Sequence, residues 1–263
     1  MGSEPTGINR LKAKLQAGQC ASAFMVTMPS VTQVQVLAAS GVDCLILDME
    51  HGPIDLQTLH AMVAATRGSA AVPIVRVPWT APWLVKPVLD TGAMGINFPM
   101  VSDAETARAT VASVRYPPLG SRGHAPSYAP IRWGIPTADY LKLADREILN
   151  LITIEEPEAI RRLDEILAVP GIDAVAIASF DLSLSMGIPG QFDHPDLRHL
   201  VAEAEAKVRR AGLPLGGVAL SAAAARAKRA AGYQLLLVGF DVLMIEGAAR
   251  TAIGFANDSD ATG

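Results

Sequence analysis

The sequence predicts an α/β fold, a single (β/α)8 barrel, on three observations. Short apolar runs rich in branched residues alternate with segments of helical periodicity along almost the whole chain. The 263 residues suffice for one barrel of about 250 residues, and no linker or shift of composition divides them. Polar residues recur just past the apolar runs, where such a barrel builds its site: Asp48, Glu50 and His51, then Arg76, Glu155 and Asp181.

The elements follow in order. Ile8, Leu11 and Leu15 share one helical face, which marks residues 1–18 as an N-terminal helix plugging the barrel bottom. Strands are expected at 23–26, 42–47, 73–77 and 95–98, each a short β-rich run, with helices at 31–39, 56–65, 83–89 and 104–114 between and after them. Ser102 and Glu105 have capping-box spacing at the start of the last of these helices. Residues 115–136, crowded with proline and glycine, break the rhythm and are expected to form a long functional loop. Strands then return at 148–154, 174–177, 215–219 and 234–238, with helices at 158–167, 199–210 and 221–230. A closing helix spans 241–253, and 257–263 reads as a disordered tail.

Composition excludes several functions. With 22 basic and 26 acidic residues scattered along the chain and few aromatics, nothing favours nucleic acid or an anionic membrane as partner. No apolar run approaches the roughly 18 residues of a membrane span. Cys20 and Cys44 lack metal-ligand spacing and are expected to be unreactive thiols of a cytoplasmic protein.

The strand-end residues carry the candidate chemistry. Any two of these strand-end carboxylates repel each other when both are ionised and dry, and a divalent cation with oxygen ligands, Mg²⁺ or Mn²⁺, resolves the conflict. Alternatively each is a helix cap or surface acid, Asp181 capping the turn 182–184. Arg76, flanked by Ile74, Val75 and Val77, needs a counterion: either a substrate carboxylate or an internal partner, Asp48 or Glu50. His51 is either an acid or base working near neutral pH or a structural hydrogen-bonder.

Seven segments, taken in order, give the chain a family resemblance: Leu47-Asp48-Met49-Glu50-His51-Gly52-Pro53, Val75-Arg76-Val77-Pro78-Trp79, Leu89-Asp90-Thr91-Gly92-Ala93, Arg115-Tyr116-Pro117-Pro118-Leu119-Gly120-Ser121-Arg122-Gly123, Ile154-Glu155, Asp181-Leu182-Ser183 and Met186-Gly187. The chain resembles the metal-dependent class II pyruvate aldolases of the HpcH/HpaI family over nearly its whole length. The resemblance implies a pyruvate-type TIM barrel that cleaves 4-hydroxy-2-oxo acids into pyruvate and an aldehyde, with Mg²⁺, Mn²⁺ or Co²⁺ as cofactor. By it Glu155 and Asp181 ligate the metal, Arg76 binds pyruvate and steadies its enolate, and His51, paired with Asp90 and near Asp48, moves protons. It also places 115–136 beside the active site and implies a homohexamer, a trimer of dimers, with the last helix packed across a subunit boundary. No Schiff-base lysine is required, and Lys86 sits before a proline in an expected helix.

Two positions depart from the family pattern. Thr153 stands where glutamine is usual, and Ala178-Ser179-Phe180 replaces a Gly-Pro-Ala or Gly-Pro-Ser turn that gives backbone N–H groups to pyruvate. Thr153, Ser179 and Phe180 therefore join the candidate substrate-binding residues, and hydroxypyruvate or oxaloacetate joins pyruvate as candidate oxo acid. Oxaloacetate decarboxylation or a related enolate-forming lyase reaction is the alternative activity, and a non-catalytic small-acid binder the alternative outside enzymes.

Overall fold

The computed structural model describes residues 8–125 and 127–257, so residues 1–7 of the expected N-terminal helix and all of the expected tail after Asn257 lie outside it. The first half comprises α1 (Arg10–Gln16), β1 (Ala21–Val26), α2 (Val31–Ala39), β2 (Cys44–Asp48), α3 (Leu56–Ala65) and β3 (Val72–Arg76), then α4 (Pro82–Asp90), β4 (Gly95–Phe98) and α5 (Ala104–Val114). Two helices, α6 (Ala129–Trp133) and α7 (Thr137–Glu147), precede β5 (Leu149–Ile154). There follow α8 (Pro157–Arg161), α9 (Leu163–Leu167), β6 (Ala174–Ile177), α10 (Ser179–Ser185), α11 (Pro195–Arg210), β7 (Leu215–Val218), α12 (Ala222–Ala230), β8 (Tyr233–Phe240) and α13 (Asp241–Asn257). The eight strands pair in chain order, all parallel, and β8 closes on β1. The predicted (β/α)8 barrel is the fold.

Alternation along each strand sorts side chains into two cores. Ala23, Met25, Cys44, Ile46, Val72, Ile74, Leu149 and Leu151 fill the barrel interior, where Leu11 and Leu15 of α1 join them. Leu45, Leu47, Val75, Ile96, Phe98, Ile152, Ile154 and Val175 face outward into the layer under the helices. Asn9 anchors α1: its Oδ1 accepts from Lys12 N (3.0 Å), while Nδ2 donates to the carbonyls of Met94 and Glu147, both at 2.8 Å.

Several expectations are corrected. Helix α5 is capped by Asp103, whose carboxylate accepts from Thr106 N (2.7 Å). The Ser102 hydroxyl instead donates to Glu156 (2.8 Å), because the chain at Ser102 still faces the β5–α8 turn. The helix expected at 158–167 breaks at Arg162 into α8 and α9. Helix α7 had no counterpart in the sequence reading. Most consequential, residues 115–136 do not stand beside the catalytic strand ends of their own chain. They lead from α5 to the start of β5, and helix-to-strand connections of such a barrel run on its N-terminal face. Arg115 Nη1 accordingly donates to the Ile148 carbonyl (3.0 Å) and Trp133 Nε1 to the Gly92 carbonyl (3.0 Å).

Candidate active site

Strand parity builds the site. In β2 and β3 the inward positions are Cys44, Ile46 and Asp48, and Val72, Ile74 and Arg76, so each strand ends by turning a charged residue toward the barrel axis. Register sets Asp48 beside Arg76 and Arg76 beside Asn97. Asp48 is 0% exposed, and Arg76 grips it with two hydrogen bonds, Nε to Oδ1 (2.8 Å) and Nη2 to Oδ2 (2.7 Å). Asp48 Oδ1 also accepts from Glu50 N (3.0 Å), fixing the turn after β2. The internal partner left open for Arg76 is thus real. Asp48 is its counter-charge and does not itself line the cavity. Glu50 adds a second contact, 3.2 Å from Arg76 Nε.

The cavity above these residues measures about 310 Å³ and is lined by His51, Arg76, Asn97, Thr153, Ser179, Phe180 and Asp181, over an apolar floor that includes Met25 and Ile46. The Thr153 hydroxyl donates to Asn97 Oδ1 (2.8 Å), so the residue at the departing position is engaged with its neighbour strand. Phe180, 52% exposed, borders both this cavity and an apolar one of about 800 Å³ beside it, and its ring lies 6.2 Å from that of Phe192. His51 lies at the mouth, 68% exposed, with Nε2 3.6 Å from Glu50 Oε2.

Asp90 is not part of this constellation. It ends α4 on the opposite face and pairs with Arg122 (2.8 Å), so within one chain the expected His51–Asp90 pair does not form and Glu50 is the carboxylate beside His51.

Glu155 follows β5 and accepts a hydrogen bond from Met100 N, a residue held at φ 52. Burial above all, reinforced by Asp181 and Glu50, pushes the Glu155 carboxyl up to about 7, against the Met100 N–H and Arg76. Burial likewise raises Glu50, with Asp48 and Asp181 adding to it against Arg76 and His51. Four carboxylates, Asp48, Glu50, Glu155 and Asp181, thus crowd around one arginine, and a divalent cation would relieve that repulsion. Among the described residues no three His, Cys, Asp or Glu side chains gather closely enough to form a full metal cage. Two carboxylates with the other positions left to water and substrate suit Mg²⁺-like ions, so Glu155 and Asp181 fit the expected metal.

Asn97 escaped the sequence reading. Its only signal was polarity in the four-residue apolar strand Gly95–Phe98, at the position whose parity matches Arg76.

The sequence matches the HpcH/HpaI aldolase/citrate lyase family over residues 24–247. It is 37% identical to the hydroxypyruvate/pyruvate aldolase of Roseovarius nubinhibens, over 95% of this chain and 97% of that one. It is 36% identical to the 2-keto-3-deoxy-L-rhamnonate aldolase of Klebsiella pneumoniae, over 95% and 94% respectively. The solved structure of an HpcH/HpaI aldolase from Desulfitobacterium hafniense superposes with a TM-score of 0.88 at 31% identity, covering 94% of this chain and 96% of that one.

Proposed function

This chain belongs to the HpcH/HpaI aldolase/citrate lyase family and is a carbon–carbon lyase, and we propose that it is a divalent-metal-dependent aldolase. Its substrates are 4-hydroxy-2-oxo acids, cleaved between C3 and C4 into an aldehyde and pyruvate or hydroxypyruvate. The observation that carries this reading is the Arg76 guanidinium, locked by buried Asp48 and facing the same cavity as Asp181, with Glu155 near enough to feel the charges of both. Glu155 and Asp181 would hold the cation, which when bound supplies Lewis acidity for the charge of the enolate.

Arg76 has Nη1 without a hydrogen bond to any described residue, and it binds the 2-oxo acid and offsets negative charge on its C2 oxygen. His51 accepts the 4-hydroxyl proton as the C4–O bond becomes a carbonyl and the C3–C4 electron pair moves into the enolate. Glu50, touching both Arg76 and His51, positions the two. Protonation at C3 then releases the oxo acid. The name of the Roseovarius relative supports hydroxypyruvate beside pyruvate as donor. Assembly into a homo-oligomer is part of the same reading, supported by the exposed apolar side chains of α13, and free Cys20 and buried Cys44 suit a cytoplasmic setting.

Purified protein incubated with a 4-hydroxy-2-oxo acid should release pyruvate, lose that activity in a chelator and regain it with Mg²⁺, Mn²⁺ or Co²⁺. Turnover that persists in chelator removes the metal from the reading, and absence of turnover on every 2-oxo acid, oxaloacetate included, removes the aldolase.

A further inference from the structure

A second cavity, of about 430 Å³, opens at the other end of the barrel, between α1, the α3–β3 turn, the start of β4 and α6. Three arginines line it: Arg10, Arg67 and Arg132. Among the described residues none of the three has a carboxylate oxygen within 4.0 Å of its guanidinium. Such a grouping is unusual in a chain whose net charge is −4. Strand β3 separates the cavity from the catalytic one, since Val72 at its start lines the first and Arg76 at its end the second.

The fold holds Arg132 in place. Gly92, at φ 101, leaves room for its stem, because a Cβ there would come within 2.6 Å of Arg132 Cβ and Cγ. Arg132 Nη2 lies 2.8 Å from His60 Nε2, and a guanidinium can only donate, so that nitrogen of His60 is the acceptor and the imidazole is neutral. Burial first, and Arg132 second, hold His60 below its ordinary value, in agreement with that geometry. Burial and the neighbouring Arg67 also lower the Arg132 guanidinium. Two guanidiniums therefore sit close enough to repel, over an apolar floor of Val63, Ala71 and Val72 that weakens solvent screening. The Ser69 hydroxyl is already committed to the Thr66 carbonyl (2.7 Å) and to Ala71 N (3.2 Å), which leaves recognition to the arginines.

We propose that this cavity is a binding site for a multiply charged oxyanion, a phosphate group or a dicarboxylate, gripped by Arg67 and Arg132 with Arg10 at its edge. Planar guanidinium forks match both anions, and an anion supplies the counter-charge that no described residue does. The proposal is independent of the reaction at the other end of the barrel.

Calorimetric titration tests it, with inorganic phosphate and succinate as separate probes at constant ionic strength and in the presence of chelator. The proteins are wild type, Arg67→Gln and, as a control for net charge, Arg226→Gln on exposed α12. One saturable site per chain is expected for at least one probe, weakened about tenfold or more in Arg67→Gln. It should be unchanged in Arg226→Gln, and both variants should keep wild-type aldolase activity. The probe that binds more tightly identifies the class of anion. No saturable binding overturns the proposal. So does binding that survives Arg67→Gln, which would place the probe at Arg76, or equal weakening in Arg226→Gln, which would make it a net-charge effect.

Discussion

Asp48 has no exposed surface and both of its oxygens are held by Arg76, so the guanidinium that meets substrate is aimed by a charge that does not. A lysine cannot reproduce two parallel N–H···O bonds, and Arg76→Lys is expected to lower kcat by about 100-fold or more in a pyruvate-release assay. Arg76→Ala strands the buried Asp48 charge and should also cost about 3–5 kcal/mol of stability, read from urea unfolding. A second acid reports through pH. Burial opposes ionisation of Asp43, yet Lys14 at 2.7 Å and the N–H and hydroxyl of Ser22 outweigh it and hold the carboxyl below its ordinary 3.8. As pH falls the unfolded chain takes up this proton first, so the contribution is present above about 3.8 and lost through the lower folded value. Asp43→Asn should flatten the fall of Tm with acid in that window while lowering Tm at neutral pH. The candidates His51, Arg76, Glu155 and Asp181 were legible because polar residues past apolar runs stand out. The partnership of Asp48 with Arg76 was legible only as one of several alternatives, because strand register decides it, and Asn97 was not legible, since its neighbours Ile96 and Phe98 mask it.

At the level of elements, the strands were easier to read than what joins them. Strands such as β2 and β3 are buried on both faces, so each stands in the sequence as a short apolar run. Helix α7 buries only Tyr140, Ala144 and Glu147 among its 11 residues, leaving little apolar stripe to detect. Both ends of α5 were legible and only its cap was displaced by one residue, since Ser102 and Asp103 both have capping chemistry and only tertiary contact with Glu156 decides between them. Asp103→Ala should therefore cost about 1 kcal/mol in urea unfolding, and Ser102→Ala measurably less. The opposite ranking would restore the capping box to Ser102. The segment 115–136 shows the other limit: its motif was recognisable, but the face of the barrel it occupies follows from connectivity. Any part it plays beside a catalytic cavity must be played at a neighbouring chain.

The whole molecule is locked at one end and unfinished on one side. At the bottom, Lys12 and Arg115 both reach Asp173, at 2.7 and 3.2 Å, tying α1 to the strands around β5 and β6. On the flank formed by the last units, α12 buries no residue, and α13 exposes Val242, Leu243, Met244, Ile245, Ile253 and Phe255. Ile253 and Phe255 are 62% and 72% exposed, more than a lone chain of this hydropathy gains by leaving in water. At roughly 25 cal/mol per Å² of apolar surface, covering six such side chains outweighs the entropy of ordering one helix, and a second copy offers the same surface in return. Light scattering on the purified protein should therefore give a mass of several 27.6 kDa chains, six in the arrangement expected from the family resemblance. Leu243→Glu combined with Ile253→Glu should break that assembly into smaller species while circular dichroism still shows the barrel. A wild-type protein that runs as a monomer at micromolar concentration would refute the assembly, and would leave the loop at 115–136 with no neighbouring cavity to serve.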